Sequence, residues 1–197
     1  MTSPSLLAQP SRSDGRSGRL LVRFVRLGRR LSQLPTGVLW AATLGWMAWI
    51  WWHSSKRGRV DVDPEFWWGW FTNLGHAPAF AFVALGLVAV ESSRLRRRSG
   101  GARGVGEALV VPSVPVRWGI LVATVFYGAI DEIHQSFVFG RTASWWDLCT
   151  DSCGALAVLW VVDYLPRPEA TDRGLALRLL AGATACVTSA YFATVVD

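Results

Sequence analysis

The chain has 197 residues, a formal net charge of +6 and 51% apolar residues, with twelve tryptophans and a single lysine among its twenty basic residues. This is not the composition of an ordinary soluble domain, and the apolar residues come in runs close to the ~20 that a helix needs to cross about 30 Å of hydrocarbon. The basic residues alternate along the chain as membrane topology alone requires, which excludes nucleic acid as the partner they serve.

In chain order, residues 1–35 read as a basic cytoplasmic N-terminal segment. Its stretch SRSDGRSGRLLVRFVRLGRR resembles the start of a signal peptide, but the apolar run after it is long and WWHSSKRG offers no small-residue cleavage site. An uncleaved anchor is expected, with the tail able to lie along the inner leaflet as a basic amphipathic stretch. The first apolar run, Thr36 to Trp52, carries no charge. The second, Leu74 to Val90, opens with His76. An Arg-, Gly- and Pro-rich loop leads to the third, Val116 to Phe137, which has Arg117 at one end and DEIHQS at the other. The fourth, Trp146 to Leu165, holds Asp147, Asp151 and Asp163. After a second cytoplasmic loop, the fifth runs from Gly174 to Val196. The expectation is an all-α, polytopic transmembrane helix bundle of four to five helices. Residues 36–165 form the main transmembrane domain, and residues 166–197 supply a loop and a fifth helix.

Of the twenty bases, sixteen fall in the N-terminal tail, between runs two and three with Arg117 included, and around the loop before run five with Arg178 included; four fall on the other side. The positive-inside rule then makes the N-terminus cytoplasmic and puts Arg141 near the outer face. Trp49, Trp51, Trp52, Trp67, Trp68, Trp70, Trp145 and Trp146 lie near the same outer ends, at a depth suited to indoles. Asp61, Asp63 and Glu65 with Lys56, Arg57 and Arg59 form a self-neutralising outer loop.

The unusual residues sit at those outer ends. Helical spacing puts Tyr127, Asp131 and His134 on one face, with Gln135 beside them and Glu132 turned about 100° away toward what reads as interfacial surface. Asp147, Asp151 and Gly154 make a second stripe. The turn FVFGRTASW, with Gly140 free to adopt positive φ, joins the two helices antiparallel. Asn73 and His76 reach the same level from run two. His76, Asp131, Glu132, His134, Asp147 and Asp151, with Arg141, are therefore expected to converge on one outward-facing polar pocket, because carboxylates in a membrane helix are costly unless they face a cavity and pair. The bland counterpart is a polar lock, in which Arg141 bridges Asp147 and Asp151 and His134 bonds Asp131. Cys149, Cys153 and Cys186 have no zinc-framework spacing and read as small hydrophobes.

DEIHQSFVFGRTASWWDLCTDSCGALA resembles the signature of VanZ-like membrane proteins: D-E-x-x-Q, a Gly-Arg pair, then an Asp and a polar residue four positions on. HAPAFAFVALGL is similar to their other marked segment, a His opening a transmembrane helix. The resemblance covers about residues 36 to 165. The chain departs from it at Phe139, where many members have Pro, at Asp151, where many have Asn, and at Asn73, near which a basic residue is frequent. Extra charge at position 151 favours a cation or proton over an unaided anion. The resemblance implies a small polytopic protein of the bacterial cell envelope, in a family named for an accessory factor of glycopeptide, teicoplanin-type resistance and without an established shared reaction.

Two functions follow, and whether the chain is an enzyme stays open. In one it binds a lipid-linked cell-wall precursor, an acyl-bearing antibiotic or an envelope protein through His76, Gln135, Arg141, Asp147 and Asp151. In the other it is an intramembrane hydrolase or transferase, with Asp131 or Glu132 as base, His134 as acid or relay and Arg141 clamping a phosphate. No cofactor is identified and no metal is assigned, although in the enzymatic reading Asp147 and Asp151 offer oxygen ligands to a divalent ion.

Overall fold

The computed structural model describes residues 18–57, 66–99, 109–141 and 143–196. The tail before Gly18, the loop holding Asp61, Asp63 and Glu65, most of the Arg/Gly-rich loop, Thr142 and the side chain of Trp68 lie outside the described residues. Among the described residues there are six helices: α1 Arg19–Gln33, α2 Thr36–Ser54, α3 Phe66–Arg98, α4 Val114–Gln135, α5 Trp145–Tyr164 and α6 Asp172–Val195.

Five of these are the apolar runs. Four have boundaries within two residues of the expected ones, whereas α3 starts at Phe66, eight residues before Leu74. His76 therefore lies in the third turn of its helix rather than at its opening. The sixth helix, α1, is the amphipathic form of the basic tail. Arg19, Arg23, Arg26 and Arg30 recur at helical spacing on its exposed side. Leu20, Leu21 and Phe24 pack against Val161, Tyr164 and Leu175 of α5 and α6.

Three stretches, Gly69–Arg98, Val114–Gln135 and Asp172–Val195, are long and apolar enough to cross a membrane. The expectation of four to five is thus met for three. Of the other long helices, α2 carries no Asp, Glu, Lys or Arg but five tryptophans, and α5 carries Asp147, Asp151 and Asp163.

Burial is inverted relative to a soluble bundle. On α4 the exposed stripe is Trp118, Val122, Phe126 and Ile133, while Thr124, Asp131, Glu132 and Gln135 are buried. Large apolar side chains outside and polar ones inside is the arrangement of a helix whose outer solvent is lipid.

Helix α3 touches all five others and forms the centre of the bundle. It runs antiparallel to α2, with Thr36 Oγ1 3.0 Å from Ser93 Oγ near one end and Trp46 Nε1 donating to the Ala79 carbonyl at 2.9 Å farther along. It runs parallel to α5, with Gly154 so close to Ala77 that a Cβ would collide with the Ala77 carbonyl. Small residues at this crossing let the backbones approach. Pro78, inside α3, cannot donate to the Leu74 carbonyl and loosens the helix just past His76.

The two ends differ in charge. One gathers α1, the Arg96–Arg98 end of α3, Arg117 and Arg167. There Asp163 of α5 pairs with Arg117 Nη2 at 2.5 Å and with Arg167. Asp172, in the first turn of α6, also accepts from the backbone N–H groups of Leu20 and Leu21 at 3.1 and 2.8 Å, so one carboxylate caps the start of α1 as well. The other end collects the C-termini of α2 and α4 and the N-terminus of α5, and there Asp131, Glu132, Asp147 and Asp151 lie.

Candidate functional site

Helix α4 carries Asp131 and Glu132 in adjacent positions, and both are buried, at 0% and 6% exposure. They point about 100° apart, but α4 has a neighbour on each side. Asp131 faces α2, where its Oδ2 accepts from Ser54 Oγ at 2.7 Å and from Gln135 Nε2 at 2.9 Å. Glu132 faces α5, where its Oε2 accepts from the backbone N–H of Ser144 at 2.8 Å. The expectation that Glu132 is interfacial surface is therefore corrected. It sits at the positive end of α5, whose first free N–H groups, of Trp146 and Asp147, are taken by Ser144 Oγ.

Asp147 and Asp151 follow on α5, both buried. Asp151 Oδ1 lies 3.1 Å from His76 Nδ1 of α3, a pair 1% and 17% exposed. The imidazole, two carboxylates and a third helix meet tightly: donor atoms of His76, Glu132 and Asp147 all lie within 4.8 Å of one another. Asp151 Oδ2 and Asp131 Oδ1 are buried without a hydrogen-bond partner. Gly128, one turn before Glu132, leaves the room that Asp151 occupies, since a Cβ there would stand 2.9 Å from Asp151 Oδ2.

Two residues are placed differently from expectation. His134 does not bond Asp131. It is half-buried at the rim, stacked on Trp51 with centroids 3.9 Å apart, and its Nε2 is 2.9 Å from Ser55 Oγ. Arg141 does not bridge Asp147 and Asp151. Its guanidinium reaches Gln135 Oε1 at 3.3 Å and the carbonyls of Lys56 and His53 at 3.3 and 3.4 Å, placing a cation at the C-terminus of α2. The polar lock thus exists with other partners, and Gln135 links Arg141 to Asp131. Gly140 adopts φ 77°, the left-handed turn that brings Arg141 back over the end of α2.

Sequence reasoning missed the end of α2. Ser54, Ser55 and Trp51 all touch the acidic residues or His134, and Tyr127 donates to the Met47 carbonyl at 2.6 Å. The signal was the polar pair Ser54–Ser55 straight after the apolar run, at the level of DEIHQ. Asn73 faces away from the carboxylates, donating to Thr194 Oγ1 of α6 at 3.2 Å.

Beside the polar residues runs an apolar cavity of about 520 Å³ between α1, α3, α5 and α6. Leu74, Ala77 and Gly154 line its end nearest His76 and Asp151, and Phe24, Leu31 and Arg178 the other. Its size is that of small-molecule sites, roughly 300–1,000 Å³.

A family model described as VanZ/LLP1 matches residues 25–165, which takes in α2 to α5 and every residue of the acidic cluster. No curated protein and no solved structure matches the chain.

Proposed function

The chain belongs to the VanZ/LLP1 family, and from that premise we propose that this membrane protein binds a lipid-linked or acyl-bearing ligand of the bacterial cell envelope and contributes in that way to glycopeptide, teicoplanin-type tolerance. The N-terminus is cytoplasmic, the basic end of the bundle faces inward and the acidic cluster lies near the outer face. The observation that carries the reading is the shared wall. Ala77 and Gly154 line an apolar cavity on one side, and their neighbours His76 and Asp151 belong to the polar cluster. A ligand with a hydrocarbon tail and a polar end matches that adjacency, the tail displacing nothing that needs hydrogen bonds.

Filling the cavity tests it. Ala81→Phe, on the α3 wall, is expected to deplete the lipid that co-purifies with the protein, as read by mass spectrometry, and to lower teicoplanin tolerance at unchanged membrane abundance. Unchanged lipid and tolerance would refute it.

An intramembrane hydrolase or transferase is the second reading, and the buried carboxylates favour it. With Asp131 bound to Ser54 and His134 at the rim, its proton-handling pair would be His76 and Asp151 rather than Asp131 and His134.

A further inference from the structure

We infer that His76, Glu132 and Asp147 form a binding site for one first-row divalent cation, Zn²⁺ or Mn²⁺, with Asp151 positioning the imidazole. The three side chains come from three helices, α3, α4 and α5, yet their donor atoms lie within 4.8 Å of one another. Bonds of about 2.0–2.2 Å to such an ion require them to draw in by roughly an ångström, which side-chain rotation supplies. Glu132 and Asp147 are buried, and His76 is 17% exposed.

A second observation, independent of that spacing, points the same way. Asp151 is 1% exposed, and its Oδ2, over Gly128 one turn from Glu132, has no hydrogen-bond partner. Asp131 adds another buried carboxylate with a bare oxygen. Four carboxylates thus crowd at one level of the bundle, and Arg141 is committed to Gln135 and to the His53 and Lys56 carbonyls. Buried charge persists only when paired or coordinated to metal. A divalent ion neutralises two of these charges at once.

The donor set selects the ion. An imidazole with two carboxylates suits Zn²⁺ or Mn²⁺, whereas Mg²⁺ and Ca²⁺ prefer oxygen throughout. With Nδ1 held by Asp151, Nε2 is the nitrogen left to coordinate. A carboxylate behind a ligating His is the arrangement that fixes its tautomer and orientation.

The inference goes beyond ligand binding by the apolar cavity and is tested without that ligand. The full chain, with Cys149→Ser, Cys153→Ser and Cys186→Ser to remove thiols, is reconstituted in nanodiscs, stripped with chelator and titrated with Zn²⁺, Mn²⁺ and Mg²⁺. Expected are one Zn²⁺ or Mn²⁺ per chain by elemental analysis, a rise in melting temperature with either ion, and no rise with Mg²⁺. Glu132→Gln and His76→Gln should abolish stoichiometric binding. Asp151→Asn should keep one site but weaken it by about 10–100-fold, the usual effect of losing a carboxylate behind a ligand. Asp131→Asn should leave stoichiometry intact. Circular dichroism of each variant establishes that it is folded. Absence of stoichiometric metal in the folded parent, or equal loss in Asp131→Asn and Glu132→Gln, would overturn the site.

Discussion

His76 and Asp151 meet at 3.1 Å because their helices are almost in backbone contact one turn away, at Ala77 and Gly154. The ion pair and the close crossing are one feature. Gly154→Leu is expected to force α3 from α5 and to cost about 1–3 kcal/mol, the range for overpacking. Gly75→Ala on α3, where nothing stands within 4 Å, should be nearly silent. Thermal melts of the two variants in the same detergent check the contrast.

Asp131 is held by two donors on one oxygen, Ser54 and Gln135. Asp131→Asn keeps an acceptor but removes the charge, whereas Asp131→Ala takes the acceptor from Ser54 and leaves Gln135 Nε2 only its 3.5 Å contact with Glu132 Oε1, which costs about 1–3 kcal/mol. Membrane abundance should therefore fall in Asp131→Ala and hold in Asp131→Asn. Full teicoplanin tolerance in Asp131→Asn would exclude proton transfer at this residue.

Arg141 closes the C-terminus of α2 through the His53 and Lys56 carbonyls. Arg141→Gln should loosen that end, with faster amide exchange in residues 52–57 and little change elsewhere, because contacts of 3.3–3.4 Å at a half-exposed site are worth about 1 kcal/mol or less. Hydrogen-exchange mass spectrometry reads this peptide by peptide.

At the basic end, Asp163 serves Arg117 and Arg167 together, and Arg117 is only 13% exposed. Asp163→Asn should therefore destabilise more than Arg167→Gln, whose partner keeps its other cation. The expected difference is about 1–3 kcal/mol, since removing the shared carboxylate strands a largely buried guanidinium.

Orientation has a direct check. Ser136 is exposed at the acidic end. In a background without native thiols, Ser136→Cys should react with a membrane-impermeant maleimide added to intact cells. Protection there, with labelling after the inner face is opened, would reverse the topology.

The sequence made the helices legible because a membrane helix announces itself by uninterrupted apolarity. It revealed Gly140 because only glycine takes that turn cheaply. It did not reveal the true start of α3, where FWWGWFTN is aromatic and polar enough to read as loop. The orientations of Asp131 and Glu132 were also readable from helical geometry. That both are buried was not, because a wheel gives the direction of a side chain but not how many helices surround it. Arg141 was legible as a cation at the right level, yet its choice of carbonyls over carboxylates depends on where α2 ends. Ser54 and Ser55 mark that end and carry no strong motif of their own.

Asp172 ties the start of α1 to α6, and both lie at the margin of the family match. The match stops at residue 165, but α6 supplies a wall of the apolar cavity and the carboxylate on which α1 begins. A chain trimmed to the matched stretch would keep Asp131, Glu132, Asp147 and Asp151 while losing one side of the cavity beside them and the carboxylate that holds the start of α1. The matched stretch is thus not the whole of the cavity's frame: one wall comes from a helix outside residues 25–165.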